Sequence, residues 1–150
     1  MIIKRVDSTN KEFQELVKYL DADLAERDGD DHAFFHQFNK IDMLKNCVVV
    51  FIDDKAAACG AFKPFTEEEG AVEIKRMYTD PQYRKQGLAS RTLTELEQWA
   101  KELGYEKCTL ETGIKQPEAI ALYEKSNYRR IPNYGPYIGV EESVCFSKLI

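Results

Sequence analysis

The segment Thr79-Asp80-Pro81-Gln82-Tyr83-Arg84-Lys85-Gln86-Gly87-Leu88-Ala89-Ser90 constrains the fold more than any other part of this sequence. Pro81 has no N–H to give to a ladder, so a strand must end before it. Downstream, Leu88, Leu93, Leu96, Trp99, Ala100 and Leu103 share one broad face and predict an amphipathic helix over 88–103. A short basic loop joins the two and closes on Gly87. The first N–H groups of a helix have no intrahelical acceptor, and the helix dipole adds positive potential there. Such a helix start is a natural anion site. Gly87 allows close approach of an oxyanion, Ala89 is small enough not to block it, and Arg84 and Lys85 add charge. A Walker loop is excluded, because no Lys-Ser/Thr follows the glycine, and GxGxxG is absent. Taken alone, the loop also fits an ordinary basic turn.

The rest of the chain supplies the context. Ile2–Val6 reads as a strand, and Ser8, Thr9 and Asn10 offer N-caps for a helix reaching about Glu26. Phe13, Leu16, Val17, Leu20 and Leu24 give that helix a core face. Asp28-Gly29-Asp30-Asp31 breaks it, and His32 to Asn39 predicts a second short helix. Strands follow at Cys47 to Ile52, Ala56 to Phe65 and Ala71 to Thr79, joined by the polar turns Asp53-Asp54-Lys55 and Glu67-Glu68-Glu69-Gly70. In the third strand Val72, Ile74 and Arg76 alternate with Glu73, Lys75 and Met77, a mixed pattern. Gly104 is the expected C-cap of the amphipathic helix. A strand at Lys107 to Glu111, a helix at Pro117 to Ser126, and strands at Tyr128 to Ile131 and Ser143 to Leu149 complete the order. The sum is a mixed α/β fold around a central sheet, expected as one domain over 1–150.

The formal net charge is -5. An acidic chain lacks the surplus of Lys and Arg that phosphate neutralisation demands, so no nucleic-acid partner is expected. A cationic small acceptor fits the charge better. No apolar run reaches the roughly 20 residues that span a bilayer, so no membrane partner is expected. The start Met1-Ile2-Ile3-Lys4-Arg5 lacks a long apolar h-region. Cys47, Cys59, Cys108 and Cys145 are scattered in strand-like segments without CxxC spacing, which suits buried reduced thiols and a cytoplasmic location.

Arg84-x-x-Gly87-x-Ala89 between a strand and a long helix resembles motif A of the GNAT N-acetyltransferase superfamily. Glu118-Ala119-Ile120-Ala121-Leu122-Tyr123-Glu124-Lys125-Ser126-Asn127-Tyr128 resembles its motif B, with Asn127 in place of the usual glycine. Asn tolerates the left-handed conformation that such a cap needs. The resemblance covers about residues 71–131. It implies a mostly antiparallel central sheet flanked by helices, and acetyl-CoA as cofactor. It places the CoA pyrophosphate on Arg84, Lys85, Gln86, Gly87, Leu88, Ala89 and Ser90. It places the pantetheine arm beside the strand end Met77-Tyr78-Thr79, whose backbone N–H near Met77 or Tyr78 is the implied oxyanion donor. Gln116 stands where many members carry Asn. The implied enzyme is an acetyl-CoA-dependent N-acetyltransferase that acetylates a primary amine by direct transfer. Pairing of two copies through a sheet edge or the last strand is compatible with this family.

Acetyl transfer needs a neutral attacking amine, a donor for the developing oxyanion, and a proton for the departing thiolate. Tyr123, at the motif B tyrosine, is the candidate proton donor; an i, i+4 partnership with Ala119 would equally suit a core tyrosine. Glu73 is the candidate general base, and its alternative is a solvated strand residue paired with Lys75. Glu111, at a strand end where a site would open, competes for that role and is a candidate substrate contact. Tyr134 and Tyr137, in the shaped loop Ile131-Pro132-Asn133-Tyr134-Gly135-Pro136-Tyr137-Ile138-Gly139, are candidate walls for a charged amine. His32 and His36 have a ligand-like spacing, but HExxH is absent and no third ligand is evident, so no metal is assigned. Two readings compete with a small-amine acetyltransferase: one acetylating protein amines, and a non-catalytic acyl-CoA sensor or interaction module.

Overall fold

In a computed structural model, residues 1–28 and 44–150 are described here, with Asp28 by its backbone. The short helix expected at His32 to Asn39, with Phe34, Phe35, His32 and His36, lies outside the described residues.

The elements are β1 (Ile2–Val6), α1 (Lys11–Asp28), β2 (Asn46–Ile52), β3 (Lys55–Pro64), β4 (Ala71–Thr79), α2 (Leu88–Glu102), β5 (Lys107–Gly113), α3 (Pro117–Lys125), β6 (Arg129–Ile131) and β7 (Ser143–Leu149). Single turns of 3-10 helix lie at Pro81–Tyr83 and Gly135–Tyr137. The strands form one sheet in the order β1-β2-β3-β4-β5-β7-β6. Every neighbouring pair is antiparallel except β4 and β5.

Period-two alternation sends β2 residues to both faces. Val48 and Val50 join Leu93, Leu96 and Ala100 of α2, while Cys47 and Val49 join Phe13, Leu16 and Val17 of α1. β3 is covered on both sides and is built from small residues, Ala56 to Ala61. Gly60 brings α2 close: a Cβ there would stand 2.9 Å from Leu96 Cδ1 and 3.0 Å from Thr92 Cγ2. All four cysteines are free and buried. Burial raises the Cys145 thiol from its ordinary 9.0 to about 11, and the Cys47 and Cys108 thiols to about 12. The unfolded chain releases these protons first, so the contribution is full below pH 9.0 and is lost as pH rises toward about 12. Melting curves across that window should show a falling midpoint, and Cys108→Ala should shallow the fall.

Local signals end the elements where expected. Asp53 and Asp54, with φ of 47 and 67, form the β2–β3 turn. The Asn10 side chain accepts the Phe13 N–H at 2.9 Å and caps α1. Gly104 and Asn127, with φ of 95 and 72, follow α2 and α3. The Tyr105 and Tyr128 N–H groups reach back to the Ala100 and Tyr123 carbonyls, each at 3.0 Å, as in a Schellman closure.

One expectation is corrected. Leu103 is not on the core face of α2. It caps the helix and is 55% exposed, and Thr92 occupies the buried stripe. β7 lies between β5 and β6, so the sheet ends on β1 and on the three-residue β6. No helix among the described residues is long and apolar enough to cross a membrane.

Candidate active site

β4 and β5 pair in parallel only from Ala71↔Lys107 to Glu73↔Thr109. Beyond Glu73 they part, and the main-chain groups that β4 turns toward β5 have no strand to meet. The gap is a cleft of about 590 Å³ reached from both faces of the sheet. Leu20, Asp23, Leu24 and Arg27 of α1 line one side; Leu88 of α2 and Ala119, Leu122 and Tyr123 of α3 line the other. Arg27 pairs with Asp23 at 3.3 Å and also with Glu118, which ties α1 to α3 across the opening.

A bulge shapes the wall of β4. Between Cys59↔Tyr78 and Ala61↔Lys75, β3 advances two residues and β4 three, so one β4 residue is extra. Arg76 carries the strain, with φ of 59. The bulge explains the mixed alternation. Val72, Ile74 and Met77 pack against the α2 face, while Arg76 turns to α1. Its Nη2 donates to Asp21 Oδ2 at 3.2 Å, and Nη1 sits 2.9 Å from Oδ1 but off the hydrogen-bond axis. Arg76 Nε is buried without an acceptor among the described residues.

The start of α2 lines the cleft. Gly87 is the N-cap residue with φ of 78, and Lys85 before it has φ of 64. Arg91 N–H donates to the Gly87 carbonyl at 3.1 Å. The Leu88, Ala89 and Ser90 amides precede that first bond and are left for an outside acceptor. A Cβ at Gly87 would meet nothing within 4 Å, so the cradle in front of these amides is open. Arg84 Nε donates to the Thr79 carbonyl at 3.0 Å, and its guanidinium lies 5.9 Å from the Tyr78 ring centroid. The donor set therefore fits an anionic group such as a pyrophosphate. Met77, Tyr78, Thr79, Arg84, Lys85, Gly87, Leu88, Ala89 and Ser90 all line the cleft, as does Gln116. Gln86 is exposed in the same loop.

The two catalytic candidates lie apart. Tyr123 is 5% exposed and lines the cleft, its ring 5.7 Å from that of Tyr128. Burial, with Glu111 adding to it, pushes its phenol well above the usual tyrosine range. Glu73 is buried on the α1 side of the sheet and does not line the cleft. Tyr134 donates to its Oε2 at 2.8 Å, Lys75 Nζ lies 3.8 Å from Oε2, and Lys63 Nζ 3.9 Å from Oε1. Tyr134 and Tyr137 stack edge-on at 5.8 Å, and Tyr137 is buried beside Cys145. Neither ring lines the cleft as described. Glu111 does line it, and accepts a hydrogen bond from Ser143 Oγ at 2.7 Å.

Sequence reasoning missed Lys75 and Arg76 as cleft residues, and Asp23 and Arg27 on α1. Two consecutive cations, Lys75 and Arg76, interrupt the alternation of the strand and were the available signal of a bulge.

The acetyltransferase (GNAT) family profile matches residues 10–128. An IAA acetyltransferase of Azospirillum brasilense is 38% identical over 79 residues, 53% of this chain and 51% of that protein. The uncharacterized N-acetyltransferase YjgM of Escherichia coli is 34% identical over 84 residues, 55% of this chain and 50% of that protein. The chain thus spans about half the length of the curated relatives it matches. A Klebsiella pneumoniae chain assigned to the acyl-CoA N-acyltransferases superposes with a TM-score of 0.81 at 31% identity, covering 99% of this chain and 96% of that one. An aminoglycoside 6'-N-acetyltransferase solved with coenzyme A shares the fold, with a TM-score of 0.70 at 16% identity over 99% of this chain and 97% of that one. On the profile match and the full-length structural relative together, this chain belongs to the acetyltransferase (GNAT) family.

Proposed function

We propose that the protein moves an acetyl group from acetyl-CoA to a primary amine of a small, cationic acceptor by direct transfer. The carrying observation is the β4–β5 cleft, whose lining brings together the open helix-start amides and Tyr123. Acetyl-CoA, when bound, supplies an activated acetyl thioester.

The chain's own residues do the rest. The amides of Gly87 to Ser90 bind the pyrophosphate, and Lys85 and Arg84 reinforce them electrostatically. The parted edge of β4 orients the pantetheine arm through main-chain groups, and the backbone N–H near Met77 or Tyr78 holds the developing oxyanion. Tyr123, kept protonated by its burial, gives its phenolic proton to the departing sulfur. Glu111 or Glu73 takes the proton of the amine. Glu111 does so from the cleft wall, and Glu73 from behind Lys75. Tyr134 and Tyr137 shape the acceptor side by holding Glu73 and the loop over β7. The substrate is steered by Asp23 and Glu111 on the lining. On this reading the reaction is cytoplasmic, and a homodimer would use β1, an edge strand of the sheet among the described residues.

Acetyl-CoA should raise the melting temperature, because a ligand that binds only the folded state adds to its stability. Gly87→Val should weaken that binding about tenfold or more, since a β-branched residue resists positive φ at a cost of roughly 1–2 kcal/mol. Thiol release with a panel of diamines, amino acids and amine-bearing peptides then reads acceptor class. No thermal shift at saturating acetyl-CoA overturns the cofactor assignment. A shift without thiol release for any amine would instead support a non-catalytic acyl-CoA sensor.

A further inference from the structure

Lys75 is a cleft residue that the proposed transfer leaves without a task. Three lysines line the cleft: Lys75, Lys85 and Lys125. Lys85 and Lys125 are exposed, whereas the Lys75 side chain is 8% exposed. Its position follows from the strand's alternation, which turns Lys75 away from the α2 face that Val72 and Ile74 share; the bulge just after it sends Arg76 the same way. Arg76 is engaged by Asp21, but Lys75 is not comparably held. Its nearest carboxylate oxygen is Glu73 Oε2 at 3.8 Å, and no acceptor among the described residues lies within hydrogen-bond distance of its Nζ. Glu73 is occupied by the Tyr134 hydroxyl at 2.8 Å and neighboured by Lys63 at 3.9 Å. A desolvated ammonium with a distant, shared counter-ion is costly, and loss of its proton relieves that cost.

We propose that Lys75 is itself an acetyl acceptor, so that the protein acetylates its own cleft wall when acetyl-CoA is bound and no amine substrate is present. The inference rests on the proposed acetyl-CoA site. The Nζ lone pair forms the C–N bond to the acetyl carbonyl carbon, and the C–S bond breaks. The bonding pair leaves on sulfur, and the proton lost by the amine ends on that sulfur. Lysine and thioester become acetyl-lysine and free thiol, with no other reactant. Glu73, 3.8 Å from Nζ, stands where it can relay the proton. Burial pulls the Lys75 ammonium below the usual lysine value; Glu73 and Glu111 oppose the shift, and Lys63 and Arg76 assist it. The neutral, nucleophilic amine is therefore more accessible here than on a solvated lysine. Once formed, the amide is uncharged and longer by an acetyl group, so it fills part of the cleft. Self-acetylation would then lower turnover.

The full chain is incubated with acetyl-CoA and no amine, then followed by intact mass and peptide mapping, with melting curves run in parallel. One acetyl group should accumulate, on Lys75, ahead of the exposed Lys63, Lys85 and Lys125. Gly87→Val should slow it by the same factor, about tenfold, by which it weakens acetyl-CoA binding. Lys75→Arg should abolish the single acetyl while keeping the acetyl-CoA-dependent rise in melting temperature. A retained rise with Lys75 unmodified, or with acetyl groups spread over surface lysines, overturns self-acetylation and leaves the cofactor assignment standing. Absence of any rise overturns both.

Discussion

Tyr123→Phe is expected to lower kcat by about a hundredfold to ten-thousandfold wherever protonation of the departing thiolate limits the rate, the range a positioned general acid contributes. Binding of acetyl-CoA should hardly change, because the substitution leaves the ring where it is. The ring is held edge-on against Tyr128 at 5.7 Å and lies 6.1 Å from Phe146. A melting temperature near wild type with a collapsed kcat and an unchanged KM for acetyl-CoA is the expected pattern. Full turnover in Tyr123→Phe would exclude the phenol as the acid. The high phenol value has a second consequence. Tyr123 keeps its proton through the alkaline range in which an ordinary tyrosine ionises, so kcat should not fall there on its account.

The largest effect on stability is expected from Gly60→Val. Gly60 faces α2 at the point where β3 crosses the bulge of β4. A Cβ there would stand 2.5 Å from Met77 Sδ and 2.9 Å from Leu96 Cδ1. Alanine could be met by shifting the flexible Met77 thioether. Valine adds two methyl groups where Leu96 and Thr92 are themselves fully buried, so overpacking of roughly 1–3 kcal/mol or more follows. For a chain of this size that is a fall of some 2–4 °C per kcal/mol. Displacing Met77 also moves the backbone next to the bulge. Gly60→Val should therefore weaken acetyl-CoA binding as well as folding, whereas Leu93→Ala, at a buried position that does not line the cleft, should affect folding chiefly. Thermal melts with and without acetyl-CoA separate the two effects.

Much of the fold was legible because its elements are locally specified. The β4 boundaries, Ala71 and Thr79, and the start of α2 at Leu88 agree with the sequence reading, since Gly70, Pro81 and Gly87 punctuate them. Asn127 closes α3 as expected of a residue that accepts positive φ. Leu103 was misread because helical periodicity continues through a cap whose backbone has already left the helix. Position of β7 inside the sheet was not legible, because chain order does not state spatial order when a later strand inserts beside an earlier one.

The sequence by itself determined the strand, basic loop and glycine-started helix, and hence a helix start at Gly87 to Ser90 whose amides suit an anion. It also determined the helix that carries Tyr123. These are local matters of proline, glycine and helical period. Only the tertiary structure decided which side chains share the cleft. An extra residue in β4 reverses the alternation beyond Lys75, and no period-two pattern survives such a bulge. That reversal sends Arg76 to Asp21, beside a Lys75 that is buried on the cleft wall and a Glu73 that Tyr134 holds. The parting of β4 from β5 is likewise a property of pairing length, which depends on both strands at once and is written in neither alone.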